Sequence, residues 1–193
     1  MIEHTQIRGE IVTFDGLYTS QEIAEYIDFI KSTTFDRKFS GFDFKNGRII
    51  HHKLSNLIHT RLLQMGVVSK HYVDAKGQKW EYANTAPTIY YANYKTGQNF
   101  IIHTDTGSVY DPSNRLYSKF TLLTYLNDDF EGGETCFFND ALEEICAIRP
   151  KTGLTLFFDI DLMHNGAPIV GNNVHKFWIG TELVYKLLGN DVP

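Results

Sequence analysis

Cysteine is nearly absent from this chain of 193 residues: Cys136 and Cys146 are the two present, and neither belongs to a CxxC pair or another zinc-type spacing. That excludes a disulfide-built scaffold and a thiolate zinc site, and leaves two reduced core thiols as the expectation. Basic charge is also in deficit, with 18 Lys and Arg against 23 Asp and Glu and a formal net charge of -5. A phosphate backbone is bound by clustered cations, so nucleic acid is a disfavoured partner. No hydrophobic run approaches membrane-spanning length, and MIEHTQIRGEIVTF lacks the charged leader and apolar stretch of a signal peptide. The expectation is a soluble, cytoplasmic protein with no membrane association.

What is present is apolar and aromatic: 42% of residues are hydrophobic and 14% aromatic, enough for one well-packed domain over 1–193. Glu10 to Phe14 reads as a short strand. Ser20 can cap a helix whose Ile23, Tyr26, Ile27 and Ile30 share a face, and a second amphipathic helix starts near Ser55 with Leu57, Ile58, Leu62 and Met65. Phe35 to Lys53 reads as a loop or hairpin. From Pro87 the pattern changes to short β-prone runs separated by Gly97, Asn127-Asp128, Gly132-Gly133, Gly153 and Gly171 to Asn173. Many short strands between turns predict a jelly roll, so the fold class is α+β: a double-stranded β-helix core over 87–187, with a helical support region over 1–86 packed outside the sheet.

Chemistry enters with His103 and Asp105. Residues i and i+2 of a strand face the same side, so both can reach one ion from a single segment. His164 supplies a second imidazole from a later strand, and Lys176 a cation that can hold an anionic co-substrate. Two His and one carboxylate leave the other positions of a metal open, the arrangement associated with non-haem Fe(II). Several other eye-catching groups read as structural. Gly132-Gly133-Glu134-Thr135 looks like a strand-connecting turn, Pro168 shapes the exit from the His164 loop, and His175 faces away from Lys176 on the same strand. His51-His52 reads as a solvated pair. Arg37, Lys38, Arg48 and Lys53 read as a solvated face bordering a loop that could cover the site.

The runs YKTGQNFIIHTD (94–105), TLLTYLNDDFEGGETCFF (121–138) and IRPKTGLTLFFDIDLMHNGAPIVG (148–171) together resemble the Fe(II)/2-oxoglutarate-dependent dioxygenase superfamily, specifically its prolyl 4-hydroxylase-like branch. The resemblance covers about the last hundred residues. It implies His103, Asp105 and His164 as catalytic metal ligands, and the retained Asp105 points to hydroxylation, because halogenating relatives lack that carboxylate. It further implies that Lys176 holds the distal carboxylate of 2-oxoglutarate, with Tyr125 and Tyr94 as pocket tyrosines and Trp178 as a wall. Arg115, between the ligand strands, stands where relatives contact substrate. The implied cofactors are Fe(II), 2-oxoglutarate and O2, with ascorbate as a reductant. The implied reaction hydroxylates an aliphatic C–H bond of peptidyl or free proline and releases succinate and CO2, on a peptide, protein or small amino-acid substrate.

Two competing readings follow from the same core. An oxidative nucleic-acid demethylase shares the triad, but its Arg-rich C-terminal signature and base-stacking lid are not identifiable here. A non-catalytic jelly-roll binding module is the reading from another class, and the intact ligand set with Lys176 weighs against it. A metal-dependent cupin isomerase is a further possibility that has no need of the Lys176 and Tyr125 pocket.

Overall fold

The computed structural model describes residues 4–7, 11–33, 45–74, 76–105 and 109–189. Its first part carries strands β1 (His4–Ile7) and β2 (Ile11–Phe14), helix α1 (Ser20–Ser32), β3 (Lys45–Ile50), helix α2 (His52–Met65), β4 (His71–Val73) and β5 (Lys79–Thr85). Strand then dominates, through β6 (Thr88–Lys95), β7 (Phe100–His103), β8 (Val109–Asp111), β9 (Leu116–Tyr125), β10 (Glu131–Gly132) and β11 (Thr135–Phe138). It continues through β12 (Glu144–Ile148), β13 (Thr155–Asp159), β14 (Met163–Gly166), β15 (Ile169–Val170) and β16 (His175–Leu187).

The larger sheet runs β1-β2-β13-β9-β16-β5-β4, with β6 also on β16, β3 on β6 and β8 on β9. Strand β16 is long enough to pair with β9 along one edge while β6 and then β5 follow each other along the other. A smaller sheet, β12-β11-β14-β7, faces it. Ile11, Tyr125, Leu156 and Phe158 from the large sheet bury against Phe137 and Ile148 from the small one, closing the jelly roll.

Alternation along β16 separates core from site. Phe177, Ile179, Leu183 and Tyr185 pack with Ile23 and Ile30 of α1 and Ile58 and Leu62 of α2. Lys176, Trp178, Gly180 and Glu182 turn to the inside of the roll. The helices therefore cover the outer face of the large sheet, as expected. They are locked together as well, because Arg61 donates two 2.9 Å hydrogen bonds to the Glu22 carboxylate. That contact, ahead of the capping bonds from Thr19, holds the Glu22 carboxyl below its ordinary range.

Several local expectations are corrected. The cap of α1 is Thr19, one residue before Ser20: its extended backbone lets its hydroxyl accept from the Glu22 amide while the Glu22 carboxylate accepts from its own. Helix α2 begins at His52 rather than near Ser55, because the His51 imidazole accepts from the Leu54 amide and caps it. Ser55 instead bonds the Thr85 carbonyl inside the core. Within the stretch read as loop or hairpin, Lys45–Ile50 is a strand on β6. Gly47 fits there because a Cβ would come within 2.5 Å of the Tyr91 ring. Arg37 and Lys38 lie outside the described residues. Strands thus intersperse the helices of residues 1–86 and join the large sheet. Cys136 and Cys146 are free. No helix among the described residues is long and apolar enough to cross a membrane.

Candidate metal centre and its cavity

The three expected ligands converge. His103 closes β7 and His164 lies directly across from it on β14, so the two imidazoles share a register position and their ring centroids are 4.3 Å apart. His103 Nε2 lies 3.5 Å from Asp105 Oδ1, and His164 Nε2 3.6 Å from Asp105 Oδ2. One ligand atom from each residue falls within 4.8 Å of the others.

The backbone fixes which nitrogens face inward. His103 Nδ1 is 2.8 Å from the Ile101 carbonyl and His164 Nδ1 is 2.9 Å from the Leu162 carbonyl. A carbonyl can only accept, so each Nδ1 carries the proton and each Nε2 presents a lone pair. Burial pushes the His164 imidazolium below its ordinary range, against the opposing pull of Asp105, and so favours the neutral ring that a metal needs. For Asp105, burial works to raise the carboxyl, but the contacts with His103, His164 and Thr121 prevail and hold it low. Thr121 Oγ donates to Asp105 Oδ2 at 2.6 Å and orients the carboxylate. This positioning residue carried no sequence signal, since threonine is ordinary in strands.

The triad opens into a cavity of about 400 Å³ whose wall includes Tyr94, Thr135, Lys176, Trp178 and Glu182. Lys176 is 4% exposed. Its Nζ donates to the Gly133 carbonyl at 2.6 Å and lies 5.2 Å and 5.6 Å from the ring centroids of Tyr125 and Tyr94. Burial, only partly opposed by the Glu134 charge, brings the Lys176 ammonium down to about 8. The carbonyl and two ring faces are neutral, and among the described residues no carboxylate pairs with this ammonium. A buried ammonium in that state suits an anion that arrives with a ligand. Gly133 can approach so closely because it and Gly132 both take positive φ, +71° and +68°. The expected turn is there, and Gly133 N in turn bonds the Pro168 carbonyl.

Of the other expected pocket residues, Tyr94 lines the cavity, bonded to Trp178, and Trp178 forms part of the wall. Tyr125 sits one layer deeper: it is fully buried, and its hydroxyl is 2.6 Å from Thr135 Oγ. Thr135, read from the sequence only as the end of a structural turn, lines the cavity. Arg115 is not brought to the site. It takes a left-handed turn before β9, and its guanidinium donates to the Leu188 carbonyl at 3.4 Å. His175 bonds Asn93 on the opposite face of β16, as its parity requires. His51 and His52 are exposed, and neither lines the cavity.

The donor set, two neutral imidazoles and one oriented carboxylate, fits a ferrous ion with open positions. The lone buried ammonium beside it fits a dicarboxylate. The unpaired, buried side-chain oxygen of Asn165 in the same cavity adds an acceptor to the wall.

Comparison with known proteins agrees with this geometry. The family described as the 2OG-Fe(II) oxygenase superfamily matches residues 89–181. A viral collagen prolyl hydroxylase of Paramecium Bursaria Chlorella virus-1, in a 2OG complex, superposes with a TM-score of 0.62 at 21% identity, covering 93% of this chain and 98% of that one. A Trichoplax adhaerens prolyl hydroxylase, bound to a hypoxia inducible factor peptide fragment, gives 0.64 at 14% identity over 91% of this chain and 84% of that one. In sequence, mouse prolyl 3-hydroxylase 3 is 31% identical over 86 residues, which are 44% of this chain and only 10% of that much longer protein. The stretch from Ile89 to Thr181, which holds both ligand histidines, Asp105 and Lys176, is similar to the 2OG-Fe(II) oxygenase superfamily.

Proposed function

We propose that the protein hydroxylates an aliphatic C–H bond in a reaction that consumes 2-oxoglutarate and O2 and releases succinate and CO2, with prolyl residues or free proline as the first substrates to test. The observation that carries this reading is the convergence of His103 Nε2, His164 Nε2 and the Asp105 carboxylate on one point of a cavity that also exposes the Lys176 ammonium. Fe(II) with 2-oxoglutarate supplies the oxidising chemistry when bound.

The chain's own groups do the rest. His103 and His164 hold the ion with their lone pairs, kept in that tautomer by the Ile101 and Leu162 carbonyls. Asp105 completes one face, oriented by Thr121. Lys176 receives the far carboxylate of the co-substrate, with Thr135 as a neutral donor beside it; Tyr125 acts from behind by bonding Thr135. Phe158 and the Tyr94–Trp178 pair keep water from the reacting centre. Similarity in fold to a collagen prolyl hydroxylase and to a prolyl hydroxylase in complex with a peptide fragment supports a proline-containing acceptor.

The test is anaerobic loading with Fe(II) and 2-oxoglutarate, then oxygen in the presence of proline, proline-containing peptides and other amino acids. Succinate formed in step with a mass gain of one oxygen on the acceptor is the expected result. Absence of succinate under all conditions, with the metal bound, refutes it.

A further inference from the structure

Glu182 is a half-buried charged group lining the cavity that the proposed chemistry leaves unused. It shares the inward face of β16 with Lys176, Trp178 and Gly180, six residues beyond the lysine, which places the two Cα atoms about 20 Å apart along the strand. Between them lie Trp178 and Gly180, and Gly180 has no room for a side chain, since a Cβ there would come within 2.6 Å of the Leu122 carbonyl. Glu182 pairs in register with Thr121, the residue that bonds Asp105, so it stands beside the metal ligands at the end away from Lys176. A five-carbon co-substrate anchored at Lys176 cannot cover both ends.

The carboxylate is held in place by two neutral donors, the hydroxyls of Ser118 and Tyr90. Among the described residues no basic side chain pairs with it. Arg48, which lies across from Tyr90 on β3, reaches the rim of the cavity but is exposed and makes no ion pair with Glu182. With Asp105 assigned to the metal and Lys176 to an anion, Glu182 is left as a half-buried carboxyl group with no cationic partner among the described residues. Burial pushes its carboxyl upward, as expected for a carboxylate that lacks a cation.

We infer that this end of the cavity is a subsite for a cationic nitrogen, in which Glu182, held by Ser118 and Tyr90, receives an ammonium or guanidinium group of the substrate next to the C–H bond to be oxidised. The inference rests on the reading of the site as an oxygenase and narrows it. The imino group of free proline and the side chain of a Lys or Arg next to the target residue both meet the requirement; a prolyl residue in a neutral peptide does not.

The experiment is calorimetry under nitrogen on the Mn(II)-loaded protein, with and without 2-oxoglutarate. The probes are L-proline, N-acetyl-L-proline, L-lysine, L-arginine, and a Lys-Pro-containing peptide beside its acetyl-lysine form. The expected result is that a cationic probe binds, its acetylated counterpart binds about 30-fold more weakly or worse, and Glu182→Gln abolishes the difference. The free amino acids and the peptide arm tell the two sources of the cation apart. Because the glutamine oxygen can accept from one of the two hydroxyls while its amide N–H donates to the other, the fold should survive; Glu182→Asp, which keeps the charge, should retain part of the preference. Equal binding of cationic and acetylated probes, an unchanged preference in Glu182→Gln, or no cationic probe binding to the wild type overturns the inference. If 2-oxoglutarate fails to bind, the oxygenase reading falls, while the titrations made without it still decide the role of Glu182.

Discussion

Replacing Lys176 by methionine should make the empty protein more stable and destroy its response to 2-oxoglutarate. At neutral pH the Lys176 ammonium is charged and buried without an anion, and the fall from 10.5 to about 8 corresponds to about 3 kcal/mol lost relative to the unfolded chain, where the group is solvated. The cost is in full force below about pH 8 and fades as pH rises toward 10.5, because over that interval the unfolded chain holds the proton and the folded one does not. Methionine fills nearly the same volume without charge, but it abandons the Gly133 carbonyl, which costs about 1–3 kcal/mol. The net expectation is a gain of about 1 kcal/mol, or roughly 2–4 °C in Tm for a chain of this size. The ligand reverses the order. At a hundred times its Kd, 2-oxoglutarate stabilises a protein that binds it by about 2.7 kcal/mol, and Lys176→Met should gain nothing. Thermal melts of the Mn(II)-loaded proteins at pH 7, with and without 2-oxoglutarate, read both effects. A variant that melts several degrees below wild type without ligand, or one that responds to ligand as wild type does, refutes the reasoning that Lys176 is a destabilising group kept for an anion.

Three further outcomes follow from the same site and its supports. Affinity of the Mn(II)-loaded protein for 2-oxoglutarate, measured by calorimetry, should fall as pH rises above about 8, since the Lys176 ammonium loses its proton there; a flat profile to pH 9.5 contradicts this. Thr121→Val should weaken Mn(II) binding about 10- to 100-fold by releasing the Asp105 carboxylate, a change readable by titration followed by electron paramagnetic resonance. Gly132→Ala should lower Tm, because it meets a positive φ and the Pro168 carbonyl at once, with a cost of at least about 1–2 kcal/mol.

Strand parity pointed to His103 and Asp105 as partners, although β7 ends at His103 and Asp105 lies just beyond it, and parity separated Lys176 from His175. The jelly roll itself was legible from its turn residues. Partner choice between distant strands was not: that His164 stands opposite His103 depends on β14 pairing with β7, a long-range register no local pattern encodes. Thr121 was missed for a related reason, since its bond to Asp105 spans 16 residues and a strand threonine has many ordinary roles. The His51 cap escaped because imidazole is an unusual acceptor at a helix start. Arg115 was placed by its position between ligand strands, and the structure ties its guanidinium to the Leu188 carbonyl instead. Tyr125 was read at the right end of the cavity but one layer too near it, because a barrel tyrosine and a pocket tyrosine share the same inward parity.

Glu182 shows what a closer use of that parity could have found. Any charged residue with the parity of Lys176 on the same strand must point into the roll unless a bulge intervenes, and the irregularity in β16 falls beyond it, between Leu183 and Val184. The register of β16 is set from its other side: Phe177, Ile179 and Leu183 are buried under α1 and α2, and a slip by one residue would expose all three. The apolar face that earns the fold its stability thereby fixes the inward order of cation, aromatic wall, bare glycine and carboxylate. Ile179→Ala on the outward face should therefore cost about 2–5 kcal/mol of stability, read as a lower Tm, whereas Glu182→Gln should disturb ligand binding at one end of the cavity.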